Sequence, residues 1–206
     1  MRPQRFKLIL CDLGNVLINF DHRIAVRKIL KFTDKSFREV YQLFFDSVFT
    51  KDFEEGRISG RDFYRRIAAE LGLKKMTFEK FNSIWSDIFF DNKGILPLLC
   101  RLKKNYRLHL VSNINKLHYD YIVKKFPRHL DLFDAVILSY KVGRRKPHPS
   151  IYREATRGFS AAGASVLYID DRADLIKEAQ KLKFKTILFK NIADFKKQLH
   201  RRRVIF

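Results

Sequence analysis

Four stretches of this 206-residue chain end an apolar run on residues that can do chemistry. Ile9-Leu10-Cys11 leads into Asp12-Leu13-Gly14-Asn15, residues 108–111 lead into Ser112-Asn113, and residues 166–169 lead into Asp170-Asp171. Lys146 lies in the loop after a fourth run at 135–139. Three carboxylates, a hydroxyl and an ammonium make chemical sense around Mg²⁺ and a phosphoryl group. Carboxylates hold the hard cation, Ser112 and loop amides take phosphate oxygens, and Lys146 offsets the accumulated negative charge. Taken singly, each has a plainer reading. Asp12 could serve a turn or a helix cap, Asp170-Asp171 a turn and N-cap, and Lys146, beside Arg144 and Arg145, a solvated loop.

The elements that would position these groups are legible from short apolar runs. Residues 6–11, 108–111, 135–139, 166–169 and 186–189 are too short for helices and rich in Val, Ile, Leu or Phe, which predicts buried strands. Helical patterns at 116–125, 151–158 and 175–182 alternate with the later runs, so the fold class is α/β, a parallel sheet with helices on its faces. The carboxyl ends of such strands form the ligand crevice, where residues distant in sequence converge. About 95 residues separate the first run from the second, far more than one crossover needs. An insertion at 18–92 explains the gap, with the core made of 1–17 and 93–206. Helical periodicity at 23–32, 36–45, 60–71 and 77–89 predicts an all-helical insertion of four helices, with Ser59 and Thr77 as N-caps. Phe44, Phe45, Phe49, Phe53, Phe63, Phe81, Trp85, Phe89 and Phe90 supply its core, and some of them are expected to line a pocket.

The segments LCDLGNVL, LVSNINKLH, GRRKPHPSIY and VLYIDDRADLIKEA resemble, in order, the four motifs of the haloacid dehalogenase superfamily and span essentially the whole chain. The insertion resembles that superfamily's helical C1-type cap. FEEGRISGRDFYRRIAAELGL and the Asp-x-Gly-Asn form of the first motif are similar to the subgroup that includes α-D-glucose-1-phosphate phosphatases. The resemblance implies a Rossmann-like core with an inserted cap, and a Mg²⁺-dependent phosphatase of a small phosphorylated metabolite such as a sugar phosphate. It implies Asp12 as nucleophile, forming an aspartyl-phosphate. Ser112 would bind the phosphoryl group with the backbone amides of Leu13 and Asn113, and Lys146 would stabilise nucleophile and phosphoryl group alike. Mg²⁺ would be held by Asp12, the Gly14 carbonyl, Asp170 and Asp171. Two positions depart from the family pattern. Gly14 stands where most of its phosphatases carry a second Asp, acid for the leaving oxygen and then base for water. Leu175 stands where Asn is usual, although Asp174 is compatible with the subgroup. His22, which follows the first motif into the insertion, is the histidine best placed to approach the site. True dehalogenation needs no metal and would leave Asp170-Asp171 unexplained.

Composition is that of a globular protein, 46% hydrophobic and 32% charged. No apolar run approaches the roughly 20 residues of a membrane span, and the Arg2-Pro3-Gln4-Arg5 start lacks a signal peptide's apolar segment, so the expectation is a cytoplasmic protein. Cys11 and Cys100 lack metal-ligand spacing, and Cys11 reads as a free core thiol. The net charge of +21 is uneven: residues 18–92 hold 14 Lys/Arg against 12 Asp/Glu, residues 93–206 hold 26 against 9. That excess, with FKKQLHRRRVIF near the end, supports an alternative function as a catalytically weak fold recruited to bind nucleic acid or another polyanion. No recognisable nucleic-acid motif accompanies it, and solvated basic faces explain the same excess.

Overall fold

In chain order the strands are β1 (Leu8–Cys11), β2 (Ile18–Phe20), β3 (Phe89–Asp91), β4 (Arg107–Ser112), β5 (Ala135–Leu138), β6 (Val166–Asp170) and β7 (Lys185–Leu188). The computed structural model describes residues 6–206 except Asp46 and residues 160–164; the basic start at 2–5 lies outside the described residues. Five strands form one parallel sheet in the order β5-β4-β1-β6-β7. These are the five predicted runs, with ends shifted by at most two residues. Alternation sends Ile9 and Cys11 into one apolar cluster and Leu8 and Leu10 into the other, so β1 is buried on both faces.

Among the described residues five α-helices fall in the insertion: α1 (His22–Ile29), α2 (Phe37–Phe45), α3 (Val48–Glu54), α4 (Gly60–Leu71) and α5 (Phe78–Ser86). Helix α4 shows why such segments fold. Phe63, Ile67 and Leu71 recur every fourth residue and are buried, the Ser59 hydroxyl accepts from the Asp62 amide, and Gly72 closes the helix at φ 59°. Thr77 caps α5 in the same way. Helix α3 adds to the four expected helices, because seven residues are too few to display a helical period. The helix expected over 77–89 ends at Ser86. Phe89–Asp91 pairs instead antiparallel with Ile18–Phe20, joining the insertion to the core by a two-stranded ribbon. Alternation within that ribbon buries Phe89 and leaves Phe90 46% exposed, so Phe90 does not join the aromatic core.

The core helices are α6 (Ile95–Lys103), α7 (Lys116–Lys125), α8 (Pro127–Leu130), α9 (Ser139–Val142), α10 (Pro149–Ala155), α11 (Ala173–Lys181) and α12 (Ile192–Arg201). Ile151 and Tyr152 of α10 and Ile176 and Ala179 of α11 pack on one face of the sheet with Leu8 and Leu10. Leu99 and Leu102 of α6 and Phe195 and Leu199 of α12 belong to the cluster on the other face. No helix among the described residues is long and apolar enough to cross a membrane. Cys11 and Cys100 are both free, the first buried.

Candidate active site

The chain leaves β1 through a tight turn. The Asp12 amide donates to the Ile169 carbonyl at 2.9 Å, and the Leu17 and Ile18 amides both donate to the Leu13 carbonyl. Asn15 takes the left-handed conformation this turn needs, at φ 53°, a region asparagine tolerates better than most residues. Gly14 does not. Its requirement is space: a Cβ there would lie 2.7 Å from Cε1 of Phe20. The ring of Phe20 therefore fills the position from which a second acidic side chain would project.

The carboxyl ends of β1, β4 and β6 bring the candidate residues together. Lys146 Nζ donates to Asp12 Oδ1 at 2.6 Å and to Asp170 Oδ2 at 2.8 Å, with its side chain only 2% exposed. The Tyr168 hydroxyl also donates to Asp170 Oδ2, and the Arg172 amide donates to Asp170 Oδ1 at 2.9 Å. Asn15 Nδ2 donates to Asp171 Oδ2 at 3.1 Å. Asn113 holds the lysine loop by both main-chain groups of Lys146: its Oδ1 accepts from the amide at 2.6 Å and its Nδ2 donates to the carbonyl at 3.0 Å. Its side chain is thus committed to placing Lys146. Ser112 ends β4 and is buried beside these groups. Asp12, Asp170 and Asp171 each bring a carboxylate oxygen within 4.8 Å of the others, an all-oxygen set that fits a small hard dication.

Charge in this cluster is tightly linked. Burial pushes the Asp12 carboxyl up to about 7, against the pull of Lys146. Burial disfavours the Lys146 ammonium too, but Asp12 and Asp170 outweigh it and hold its pKa above the usual range. The two directions compete over one proton. The ammonium with ionised carboxylates is the state the contacts favour, because Nζ donates to both Asp12 and Asp170 and a protonated Asp12 would forfeit one of those charge-assisted bonds. Burial also raises the Asp171 carboxyl.

A cavity of about 200 Å³ opens over the cluster, lined by Asp12, Leu13, Gly14, Ser112, Asn113, Lys146 and Asp171 from the core. The insertion closes it with Phe20, His22, Phe45, Thr50, Glu54, Trp85 and Phe89. His22 stacks on Phe45 with ring centroids 3.5 Å apart, and burial lowers its pKa to about 4, so the ring is neutral. Phe45 stacks in turn on Trp85, and Trp85 on His118. Leu175 also lines the cavity, while Asp174 is occupied by the Arg172 guanidinium. Glu54 and Arg145 were not singled out by spacing. Arg145 Nε lies 2.7 Å from Glu54 Oε2, the Arg145 amide donates to Glu55 Oε1 at 3.1 Å, and Ser139 Oγ donates to the Glu54 carbonyl at 2.6 Å. Gly56, at φ 69°, permits this contact, since a Cβ would stand 2.3 Å from the Tyr140 carbonyl oxygen. The available signal was the acidic pair before Gly56 in a stretch matched only for its family likeness.

A family model for haloacid dehalogenase-like hydrolases matches residues 6–183. A D-ribitol-5-phosphate phosphatase of Bacteroides thetaiotaomicron is 25% identical over 200 residues, 94% of this chain and 96% of its own length. Among solved structures, a haloacid dehalogenase family enzyme of the same species superposes with a TM-score of 0.84 at 27% identity, covering 95% of this chain and 99% of that one. A complex of that enzyme with magnesium and inorganic phosphate gives a TM-score of 0.80 at 28% identity, over 90% and 95% of the two chains.

Proposed function

The chain belongs to the haloacid dehalogenase-like hydrolases, and from that premise we propose that it is a Mg²⁺-dependent phosphatase of a small phosphorylated, hydroxylated metabolite. The observation that carries this reading is the buried Lys146 ammonium shared by Asp12 and Asp170, with Asp171 close enough to complete a three-carboxylate cluster at the cavity floor. The magnesium- and phosphate-bound relative supports the same chemistry. Likeness to a D-ribitol-5-phosphate phosphatase supports a sugar or polyol phosphate as substrate.

In this proposal residues 1–17 and 93–206 carry the chemistry and residues 18–92 select the leaving group. Asp12, Asp170, Asp171 and the Gly14 carbonyl would hold Mg²⁺, which would supply positive charge to neutralise the phosphoryl oxygens. Ser112 Oγ and the amides of Leu13 and Asn113 take phosphoryl oxygens. An Asp12 oxygen attacks phosphorus, the P–O bond to the leaving group breaks, and, with no side chain at the Gly14 position to act as acid, the leaving oxygen takes its proton from water and departs as the alcohol. Water then cleaves the aspartyl-phosphate to return the carboxylate and release inorganic phosphate. Lys146 keeps Asp12 ionised and offsets charge on the transferring group.

A panel of sugar and polyol phosphates, assayed for phosphate release with Mg²⁺ and with EDTA, tests the reading. Turnover is expected only with the metal, and Asp12→Asn is expected to lose about 10³-fold or more while remaining folded. EDTA-resistant turnover, or an active Asp12→Asn variant, overturns it.

A further inference from the structure

Six rings form a closed circuit in the wall above the phosphoryl site. Phe20 meets His22 with centroids 4.6 Å apart, His22 stacks on Phe45 at 3.5 Å, Phe45 on Trp85 at 5.4 Å and Trp85 on His118 at 4.8 Å. His118 meets Phe89 at 5.0 Å, and Phe89 returns to Phe20 at 6.1 Å. All six line the cavity that also holds Asp12 and Ser112. Trp85, Phe89 and His118 are buried, whereas Phe20, His22 and Phe45 keep part of their surface accessible. The collar carries no charge, since burial keeps both imidazoles neutral. Nor does the rest of the lining hold a spare cation. Lys146 is shared by Asp12 and Asp170, Arg145 lies 2.7 Å from Glu54, and Arg172 lies 2.6 Å from Asp174. In a chain of net charge +21, every Lys and Arg among the described lining residues is thus matched by a carboxylate.

We propose that this collar selects phosphomonoesters whose leaving group carries no charge of its own, with Phe20, His22 and Phe45 as the specificity-determining residues that pack on its C–H face. Aromatic faces give the carbon skeleton of a sugar, polyol or ring an apolar surface. A second phosphate or a carboxylate on the leaving group would lose hydration against these rings and find no free cation in exchange. The long-range field of so basic a chain draws anions toward it, so discrimination against a second anion has to be local. The collar supplies it. The inference rests on the phosphatase reading above and adds to it the charge class of the leaving group and the side chains that choose it.

The test uses two pairs of esters in which CH₂OH becomes COO⁻: glycerol 3-phosphate against D-glycerate 3-phosphate, and D-ribitol 5-phosphate against D-ribonate 5-phosphate. All are assayed with Mg²⁺, beside 4-nitrophenyl phosphate, in the wild-type chain, Phe45→Leu and Phe45→Lys. Wild-type kcat/KM is expected to favour the neutral member of each pair by about 100-fold or more, because an unpaired charge is costly to desolvate. Phe45→Leu keeps an apolar wall and is expected to keep that preference, with a higher KM for the neutral esters. Phe45→Lys brings a cation to the collar and is expected to narrow the preference about tenfold or more, through a lower KM for the carboxylates. A wild-type chain that hydrolyses both members of each pair equally well overturns the inference and leaves the phosphatase reading intact. So does an unchanged preference in folded Phe45→Lys, or turnover of 4-nitrophenyl phosphate with none of either pair. Absence of hydrolysis of every ester by the wild type overturns the phosphatase reading, and the inference falls with it.

Discussion

Phe20 decides what Gly14 can become. Nothing in the Gly14 torsion angles forbids a side chain, but the Phe20 ring lies 2.7 Å from where its Cβ would be. Gly14→Asp alone is therefore expected to displace that ring at a cost of about 1–3 kcal/mol, with no gain in turnover. Combined with Phe20→Ala, the new carboxyl has room to project, and kcat/KM for pentyl phosphate should rise relative to 4-nitrophenyl phosphate. Only the alkyl leaving oxygen needs a proton, and a positioned acid/base is commonly worth about 10²–10⁴-fold. The ratio of the two specificity constants in the single and double variants checks this. An equal rise in both would show that the ring is no obstacle.

Among the elements, α12 shows how a basic segment can be structural. Its Phe195 and Leu199 are buried, Phe195 packs edge-on to Phe189 with centroids 5.5 Å apart, and Arg202 just beyond it donates to the Thr186 carbonyl of β7 at 2.8 Å. Lys196, Lys197, Arg201 and Arg203 face outward. Leu199→Ala is expected to cost about 2–5 kcal/mol in urea unfolding, and deletion of 192–206 to remove much of the stability margin, because it strips several core side chains at once. Replacing the four outward cations with Gln separates charge from packing. That variant should leave heparin at lower salt than the parent while phosphate release stays within about twofold, since surface substitutions rarely disturb the fold. Loss of phosphate release in the folded variant would tie the basic face to catalysis.

At the scale of the whole molecule, the contact between insertion and core contains a buried neutral histidine. In His118 of α7, Nδ1 accepts from Asn115 Nδ2 at 3.1 Å and the Nε2–H donates to the Trp85 carbonyl at 3.0 Å, and burial lowers its pKa to about 3. Below about pH 6.5 the unfolded chain takes up a proton at this residue that the folded chain refuses until pH falls near 3. Its contribution to stability is thus complete above pH 6.5 and is lost progressively on acidification, by at most about 1.4 kcal/mol per pH unit. Between pH 6.5 and 5 the wild type is expected to lose about 2 kcal/mol more than His118→Gln, measured by urea unfolding at each pH. Parallel pH profiles would assign acid sensitivity to other groups.

What the sequence determined by itself is the sheet and the floor of the site. Each strand of β1 and β4–β7 is a local apolar run, and the rule that ligands meet the carboxyl ends of parallel strands is enough to place Asp12, Ser112, Lys146 and Asp170-Asp171 at one edge. Tertiary structure decided the remainder. Strands β2 and β3 have three residues each and exist through their pairing, which no local period announces. The opposition of Glu54 to Arg145 joins side chains about 90 positions apart, and the burial of the Trp85 indole N–H, unpaired among the described residues, follows from packing in three dimensions. Gly14 makes the same division visible in one residue. Its place two positions after Asp12 is a fact of the sequence, whereas its need to remain small comes from a ring that the fold sets against it. Spacing along the chain encodes which residues share an element's end or face; which elements then press against each other is settled by packing.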